Sequence, residues 1–300
     1  MKNYILLILK GMAMGVANVI PGVSGGTIAL VTNIYEELIN ALKSFDAKAL
    51  NLLLSWKIKA LALHTNIYFL CSIFGGSIIS VFTIANLFKY LFEKHPILIW
   101  SFFFGLILAS IYYIAKQIKN WNNINTIILF FGALSAISIS FLNPANENDN
   151  LFFVFICGII GISGMMLPGL SGSFILILLG NYELLLVNSI IELDYVLLTF
   201  FFLGSVAGLL GFSHIIAYLL KKHKDKTLSM LTGFIFGSLY IIWPWKKIEN
   251  SIIINGKEKI LSYSWDYPTQ IDTNTILAIG LMLLGILIVY LLEKTANTNS

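Results

Sequence analysis

The sequence contains no arginine, so all 19 of its basic residues are lysines. A planar guanidinium that grips a phosphate through two parallel hydrogen bonds is therefore unavailable, and a bound anion must be held by other donors. Charged residues are also scarce, at 11% of the chain. Because soluble domains carry about 25% charged residues, this composition excludes a soluble globular protein.

Cysteine is limited to Cys71 and Cys157, which both fall inside apolar segments. Two isolated thiols of this kind predict neither a disulfide framework nor a metal site. The net charge of +4 comes without an interleaved basic and aromatic pattern, so no nucleic-acid partner is indicated. We expect no cofactor and no metal.

Apolar residues make up 58% of the chain, and the mean hydropathy is +0.85. Since a membrane-spanning helix needs about 20 apolar residues, the sequence predicts an all-α polytopic membrane protein. The amino-terminal run around Lys2 and Lys10 has no small-residue cleavage site after it, so we expect it to be retained. Apolar segments lie at 4–20, 26–42, 67–88, 97–115, 124–142, 151–167, 173–189, 195–220, 228–243 and 274–292.

A motif rich in proline and glycine occurs twice. The stretch IPGVSGGTIALVTNIYEEL (20–38) aligns with LPGLSGSFILILLGNYELL (167–185) at a constant offset of 147 residues. Further matches pair GLILASIYYI (105–114) with GFIFGSLYII (233–242), and NTII (125–128) with NTIL (274–277). The sequence therefore predicts a duplication, with repeats at 1–145 and 150–295 joined by the polar stretch NPANENDN.

The lysine positions suggest how the two repeats are oriented. If each motif is the tip of a re-entrant helical hairpin (4–42 and 151–189), each repeat adds three spans, and the odd number inverts the second repeat. The spans are then 67–88, 97–115 and 124–142, followed by 195–220, 228–243 and 274–292. With both termini cytoplasmic, thirteen of the 19 lysines face the cytoplasm, as the positive-inside rule requires. A motif that is instead a broken full span fits the lysines less well.

Two segments lie outside the repeat pattern. Residues 43–64 mix lysines with leucines, which predicts an amphipathic helix on the cytoplasmic surface. Residues 251–265 place Asn255-Gly256 between apolar runs, a pattern typical of a β-hairpin.

The two motifs are candidate anion sites. Non-helical backbone at membrane depth must be buried in protein or line a wet cavity. The helix that follows offers free N–H groups, and glycines allow a ligand to approach them closely. Simple kinks or close-packing sites are the alternative, which the duplication disfavours. The candidate substrate-binding residues are Asn18, Pro21, Gly22, Ser24, Gly25, Gly26 and Thr27 in the first motif and Pro168, Gly169, Ser171, Gly172 and Ser173 in the second.

Glu36 and Glu183 recur at matching positions of the two hairpins. An ionisable group in an apolar segment is a functional candidate, so both are candidates for coupling transport to protons. The alternative is that both lie at hairpin ends and face water.

At these residues the sequence resembles the polyprenyl-phosphate transporter family. The resemblance rests on PGVSGG, PGLSGS, NIYEEL and GLILASIYY and covers essentially the whole chain. It implies a multi-pass protein of the bacterial plasma membrane that returns undecaprenyl phosphate from the outer to the inner leaflet. Members often carry aspartate just before the first motif, where this sequence has Asn18, so a titratable acid at that position is in doubt.

Three functions remain open from the sequence. The first is a lipid-phosphate transporter, and the second is a small-anion channel or transporter that uses the same helix ends. The third is a phosphatase, which needs a nucleophile or base and cationic stabilisation of the transferring phosphoryl group. Because the motifs offer only hydroxyls and amides, we expect that the protein is not an enzyme.

Overall fold

The computed structural model describes residues 4–19, 24–142, 144–254, 257–269 and 272–298. The chain is 78% helical, in agreement with the membrane class predicted from composition. Lys2, Pro21, Gly22 and the Asn255-Gly256 turn lie outside the described residues.

The described helices lie in or near the apolar segments, but the segments 26–42 and 173–189 are each broken, after Val31 and after Leu178. The first half contains α1 (Tyr4–Val19), α2 (Gly25–Val31), α3 (Tyr35–Lys43), α4 (Ala47–Leu54), α5 (Ile58–His64), α6 (Ile67–Lys94), α7 (Pro96–Ala115) and α8 (Asn123–Ser140). The second contains α9 (Leu151–Met166), α10 (Gly172–Leu178), a π-helical turn (Leu184–Asn188), α11 (Ser189–Ile191), α12 (Tyr195–Lys222), α13 (Lys224–Ser238) and α14 (Thr273–Thr298).

Four of these helices are long and apolar enough to cross a membrane, namely α7, α8, α12 and α14. The pair formed by α5 and the first part of α6 would make a fifth, with a bend of 69° between them. The helix α13 has 15 residues and ends at Ser238, before the predicted end at 243. Tight turns follow, and Pro244 cannot continue a helix because it lacks the N–H donor.

Two predicted segments differ in detail from the observed elements. Residues 43–64 form two short helices, α4 and α5, instead of one, because Trp56 adopts a positive φ of 53° between them. The predicted β-hairpin is present as antiparallel strands β1 (Lys246–Ile254) and β2 (Lys257–Trp265), with an irregularity between Ile248 and Ser251.

Glycines bring the helices of each half into backbone contact. A methyl group on Gly11 of α1 would collide with the backbone carbonyl of Ile73 on α6. In the second half, Gly158 of α9 meets the carbonyl of Phe201 on α12 in the same way. Gly11 and Gly158 are 147 positions apart, as the two motifs are, and Ile73 and Phe201 are 128 apart, as Gly105 and Gly233 are. The two halves therefore use the same close contact.

The other long helices pair across the halves. A methyl group on Gly105 of α7 would collide with the carbonyl of Met282 on α14, and one on Gly233 of α13 with the carbonyl of Leu129 on α8. Because Gly105 and Gly233 also match in the duplication, each half lends one helix to the other. The core is therefore shared between the halves.

Two adjacent glycines of α6 provide a test of this packing. Gly76→Ala is expected to lower the free energy of unfolding by about 1–3 kcal/mol, the usual cost of overpacking, since its methyl group would collide with the carbonyl of Ile8. Gly75→Ala is the matched control, because nothing lies within 4 Å of the added methyl group. Thermal unfolding of the purified variants measures both, and equal midpoints would contradict the assigned contact.

Candidate functional site

The first motif connects α1 and α2, which run side by side as a helical hairpin. At the tip, Asn18 Oδ1 accepts a hydrogen bond of 2.8 Å from the Gly25 N–H. At the base, Lys10 Nζ donates to the carbonyl of Thr32 at 2.7 Å, so a lysine caps the carboxyl end of α2.

The amino-terminal end of α2 is capped by the chain itself. Ser24 is the N-cap residue, and its Oγ accepts from the Gly26 N–H at 3.2 Å. The Thr27 N–H donates to the Ser24 carbonyl at 3.0 Å, and Asn18 already holds the Gly25 N–H. In this conformation the first three N–H groups of the helix therefore have protein acceptors.

The second motif differs at the same step. Ser171 occupies the N-cap position of α10 but does not cap the helix, because its Oγ is hydrogen-bonded to Ser173 Oγ at 2.8 Å. Within the described residues, the N–H groups of Gly172, Ser173 and Phe174 have no acceptor. The start of α10 therefore offers three unused donors and two hydroxyls.

The turn before α10 depends on Gly169, which has a φ of +83°. L-residues rarely adopt this left-handed conformation. A Cβ there would lie 2.7 Å from the backbone of Phe234 on α13, so both conformation and space require glycine.

The structure brings the two motifs together tip to tip. The Gly169 N–H donates to Thr27 Oγ1 at 3.1 Å, across 142 residues of sequence. Ser24 Oγ lies 3.3 Å from the Leu167 carbonyl, and the Tyr35 hydroxyl donates to the Met166 carbonyl at 3.0 Å. The motif alignment includes Tyr35, but only the structure shows that it contacts the second motif.

Most described candidate residues of the joined tips are buried. Thr27 is 0% exposed, Ser24 2% and Ser171 6%, and Pro168, Gly25, Gly26 and Gly172 are buried as well. Asn18 and Ser173 are half-buried. All candidate binding residues other than Pro21 and Gly22, which lie outside the described part, belong to this one region.

The helices α2 and α10 also end at equivalent residues. Each has seven residues, and each is followed by a residue with positive φ, Asn33 at 57° and Gly180 at 77°. In both, the residue after that one donates its N–H to a carbonyl of the helix. Ile34 donates to the carbonyl of Ala29, and Asn181 donates to the carbonyl of Leu176.

The two glutamates lie away from the tips. Glu36 is on α3, where one carboxylate oxygen lies 2.5 Å from Nζ of Lys224 on α13, with both side chains about half exposed. Glu183 follows α10 and is exposed on the second hairpin. Both glutamates are therefore more exposed than Ser24, Thr27 and Ser171 of the joined tips.

An apolar cavity of about 240 Å³ lies between α1, α2, α7 and α14, beside the first tip. Ile28, which directly follows Thr27, forms part of its wall, together with Ala17, Phe103 and Val289. Thr32 also lines the cavity, but its hydroxyl donates to the carbonyl of Ile28 within the helix. A hydrocarbon chain suits this space.

Comparison with known proteins gives consistent matches. Residues 14–260 match the family model described as VCA0040-like, undecaprenyl phosphate translocase-like. The chain is 41% identical to a polyprenyl-phosphate transporter of Vibrio cholerae serotype O1 over 98% of both chains. It is 32% identical to a polyprenyl-phosphate transporter of Staphylococcus aureus, over 79% of this chain and 85% of that one.

No solved structure matches the chain. The family match covers well over half of the sequence, and two relatives exceed 30% identity over most of their length. The chain belongs to the undecaprenyl phosphate translocase-like family.

Proposed function

We propose that the protein transports polyprenyl phosphate across the bacterial plasma membrane, from the outer to the inner leaflet. The relatives in Vibrio cholerae and Staphylococcus aureus are named polyprenyl-phosphate transporters. The observation that carries the proposal is the contact between the two motifs, in which the Gly169 N–H donates to Thr27 Oγ1. This contact concentrates the duplicated glycines and hydroxyls in one place.

The phosphate is held by uncharged donors. The N–H groups of Gly172, Ser173 and Phe174 and the hydroxyls of Ser171 and Ser173 are suited to phosphate oxygens, because a helix start presents N–H groups to an anion. The helix α10 is short, so the attraction comes from its first-turn donors, to which such effects are confined in any helix. A site without arginine can also release its ligand.

The described conformation is a closed state of the carrier. Thr27 and Ser24 are buried, so a head group enters only when the tips separate and the bond between Thr27 and Gly169 breaks. Binding sites at discontinuous helices between repeats, opened to each side in turn, are typical of transporters built from inverted repeats.

The two hairpins, 4–42 and 151–189, are re-entrant in this proposal and enter from opposite sides of the membrane. The helices α1 and α9 have 16 residues each. At 1.5 Å per residue this is about 24 Å, which is shorter than a hydrocarbon core of about 30 Å. The matching glycine contacts support a structural repeat, and the lysine positions favour its inversion with both termini cytoplasmic.

The apolar cavity favours a lipid substrate over a small anion. It begins at Ile28, next to Thr27, and its wall is almost entirely apolar. An isoprenoid chain attached to a phosphate at the tips fits this arrangement, whereas a small-anion channel does not require an apolar cavity. The relatives are named transporters, and the tips hold hydroxyls and amides, so we assign no catalytic step.

The function is tested with purified protein in vesicles that carry a fluorescent polyprenyl phosphate in one leaflet. The protein is expected to speed movement of this lipid to the other leaflet and not movement of the polyprenol without phosphate. Vesicles loaded with inorganic phosphate should retain it. Release of phosphate without lipid movement would reject the proposal and favour the small-anion alternative.

The orientation is tested by cysteine labelling in a background with Cys71→Ser and Cys157→Ser. Lys48→Cys and Glu147→Cys each introduce one thiol at an exposed residue. We expect a membrane-impermeant reagent to reach the first only from the cytoplasmic side and the second only from the outside. Labelling of both from one side would contradict the inverted repeat.

A further inference from the structure

A second cluster of charge lies away from the tips, where the loop between α7 and α8 meets the junction of α12 and α13. It surrounds a cavity of about 420 Å³. We call it the basic cleft and define it by the six charged residues that line it, which are Lys119, Lys221, Lys222, Lys224, Asp225 and Lys226.

Local structure explains why these lysines converge. Only His223 separates α12 from α13, so the lysines at the end of α12 and at the start of α13 lie close together. Asp225 then fixes the loop that carries Lys119, because its carboxylate accepts from the N–H groups of Lys119 at 3.2 Å and Asn120 at 3.0 Å.

Asp225 offsets only one of the five lysine charges that line the cleft. The hydrogen bonds from the N–H groups of Lys119 and Asn120 hold the pKa of Asp225 below its usual value, so it remains a carboxylate. Its two oxygens accept from the loop and form no ion pair with a lysine among the described residues. The five lysines therefore outnumber the acidic side chains around them, which are Asp225 in the cleft and Glu36 beside Lys224.

Most of these lysines are available to a ligand. Lys222 donates to the hydroxyl of Tyr218, and Lys224 pairs with Glu36. In the described ranges of the chain, Lys119, Lys221 and Lys226 form no ion pair with any acidic side chain. The first turn of α13, a helix of 15 residues, also has no side-chain cap.

We propose that the basic cleft binds a phosphate monoester, either the head group of the transported lipid in the cytoplasmic leaflet or free phosphate. Lysine ammonium groups bind phosphate as point charges, and the start of a helix adds N–H donors. The alternative is that these lysines only set the membrane orientation. That role requires neither the cavity nor the hydrogen bonds by which Asp225 fixes the loop. The lipid source of the ligand rests on the proposed function, but the binding of phosphate does not.

The cleft is linked to the first hairpin through Glu36. The carboxylate of Glu36 and the incoming phosphate compete for the same ammonium group of Lys224. Binding in the cleft therefore releases a carboxylate on α3, whose Tyr35 contacts the second motif. Binding of a head group in the cleft is therefore linked to the first hairpin through Lys224 and Glu36.

Lysine acylation footprinting of the wild-type protein in lipid nanodiscs tests the site. Mass spectrometry follows modification of Lys119, Lys221 and Lys226, and the exposed lysines Lys48, Lys57 and Lys59 serve as internal controls. With inorganic phosphate or farnesyl phosphate at about four times its Kd, modification in the cleft should slow about fivefold, since the unbound fraction is 1/(1 + [L]/Kd). The control lysines should not change.

A matched pair of triple variants then tests the charge. The first triple variant combines Lys119→Gln, Lys221→Gln and Lys226→Gln. Its Kd for phosphate, measured from the protection of Lys222 against acylation, should rise by about tenfold, which corresponds to about 1.4 kcal/mol. Lys48→Gln, Lys57→Gln and Lys59→Gln remove the same charge elsewhere and should change the Kd by less than about twofold. Equal effects of the two triple variants would overturn the proposal.

The probes separate the sources of the ligand. Protection by farnesyl phosphate but not by farnesol or inorganic phosphate assigns the lipid head group, and protection by inorganic phosphate alone assigns the free ion. Equal protection by phosphatidylglycerol at the same concentration would overturn the site in favour of a general lipid surface. A protein that fails to move polyprenyl phosphate yet shows cleft protection refutes the proposed function and leaves the cleft intact.

Discussion

Ser173→Asp is expected to abolish polyprenyl-phosphate transport, while Ser173→Asn leaves most of it. Ser173 is half-buried in the first turn of α10, where three N–H groups lack acceptors among the described residues. An aspartate there takes these donors and repels the phosphate. Two unit charges about 4 Å apart interact by about 4 kcal/mol at an effective dielectric of about 20, so we expect a loss of at least a hundredfold, or about 2.8 kcal/mol.

Asparagine matches aspartate in size and lacks the charge, so the pair separates repulsion from packing. Transport is measured as lipid movement between leaflets, and thermal unfolding shows that both variants fold. Ser173→Asp with wild-type transport would remove α10 from the binding site.

Substitution of a motif glycine by aspartate adds a side chain as well as a charge, and the effect of the side chain depends on the position. A side chain on Gly172 would collide with the backbone carbonyl of Gly161, so the loss expected for Gly172→Asp includes disrupted packing, and Gly172→Ala is its control. For Gly25→Asp, the atoms nearest to the added Cβ belong to the side-chain amide of Asn18, at 2.8 Å, and not to a backbone. Ser24→Ala should be milder, because it removes one cap worth about 1 kcal/mol.

The second large effect concerns the driving force. Returning a negative head group to a negative interior costs about 2.3 kcal/mol per unit charge per 100 mV, or about fiftyfold in equilibrium accumulation. We propose that Glu36 and Glu183 carry protons with the phosphate and cancel this cost. Glu36→Gln with Glu183→Gln is therefore expected to remove the acceleration of transport by an imposed pH gradient while sparing lipid binding.

Glu37→Gln is the control for the two carboxylates. It changes the neighbouring acid, which accepts from Asn66 Nδ2 at 2.7 Å and aligns with Leu184 in the second repeat. A double glutamine variant that responds to the gradient as the wild type does would make both glutamates structural.

The sequence by itself determined the membrane class, the duplication and most helices. These depend on local signals, namely the length of each apolar run and the repeated Pro-Gly-x-Ser-Gly pattern, which act through backbone hydrogen bonding and hydropathy. The equivalent bounds of α2 and α10 show this well, because a serine precedes each helix and a residue with positive φ, Asn33 or Gly180, follows it. The break between α4 and α5 was missed, since no glycine or proline marks Trp56.

Only the tertiary structure decided how the two motifs act together. The hydrogen bond between Thr27 and Gly169 depends on how helices far apart in sequence pack. The glycines that allow this packing contact backbone carbonyls that are also far away in the sequence. The same holds for the self-capped start of α2, the open start of α10 and the loop that Asp225 draws to the lysines of α13. Equivalent motifs thus received different hydrogen-bond partners, because the partners are chosen by distance in space and not along the chain.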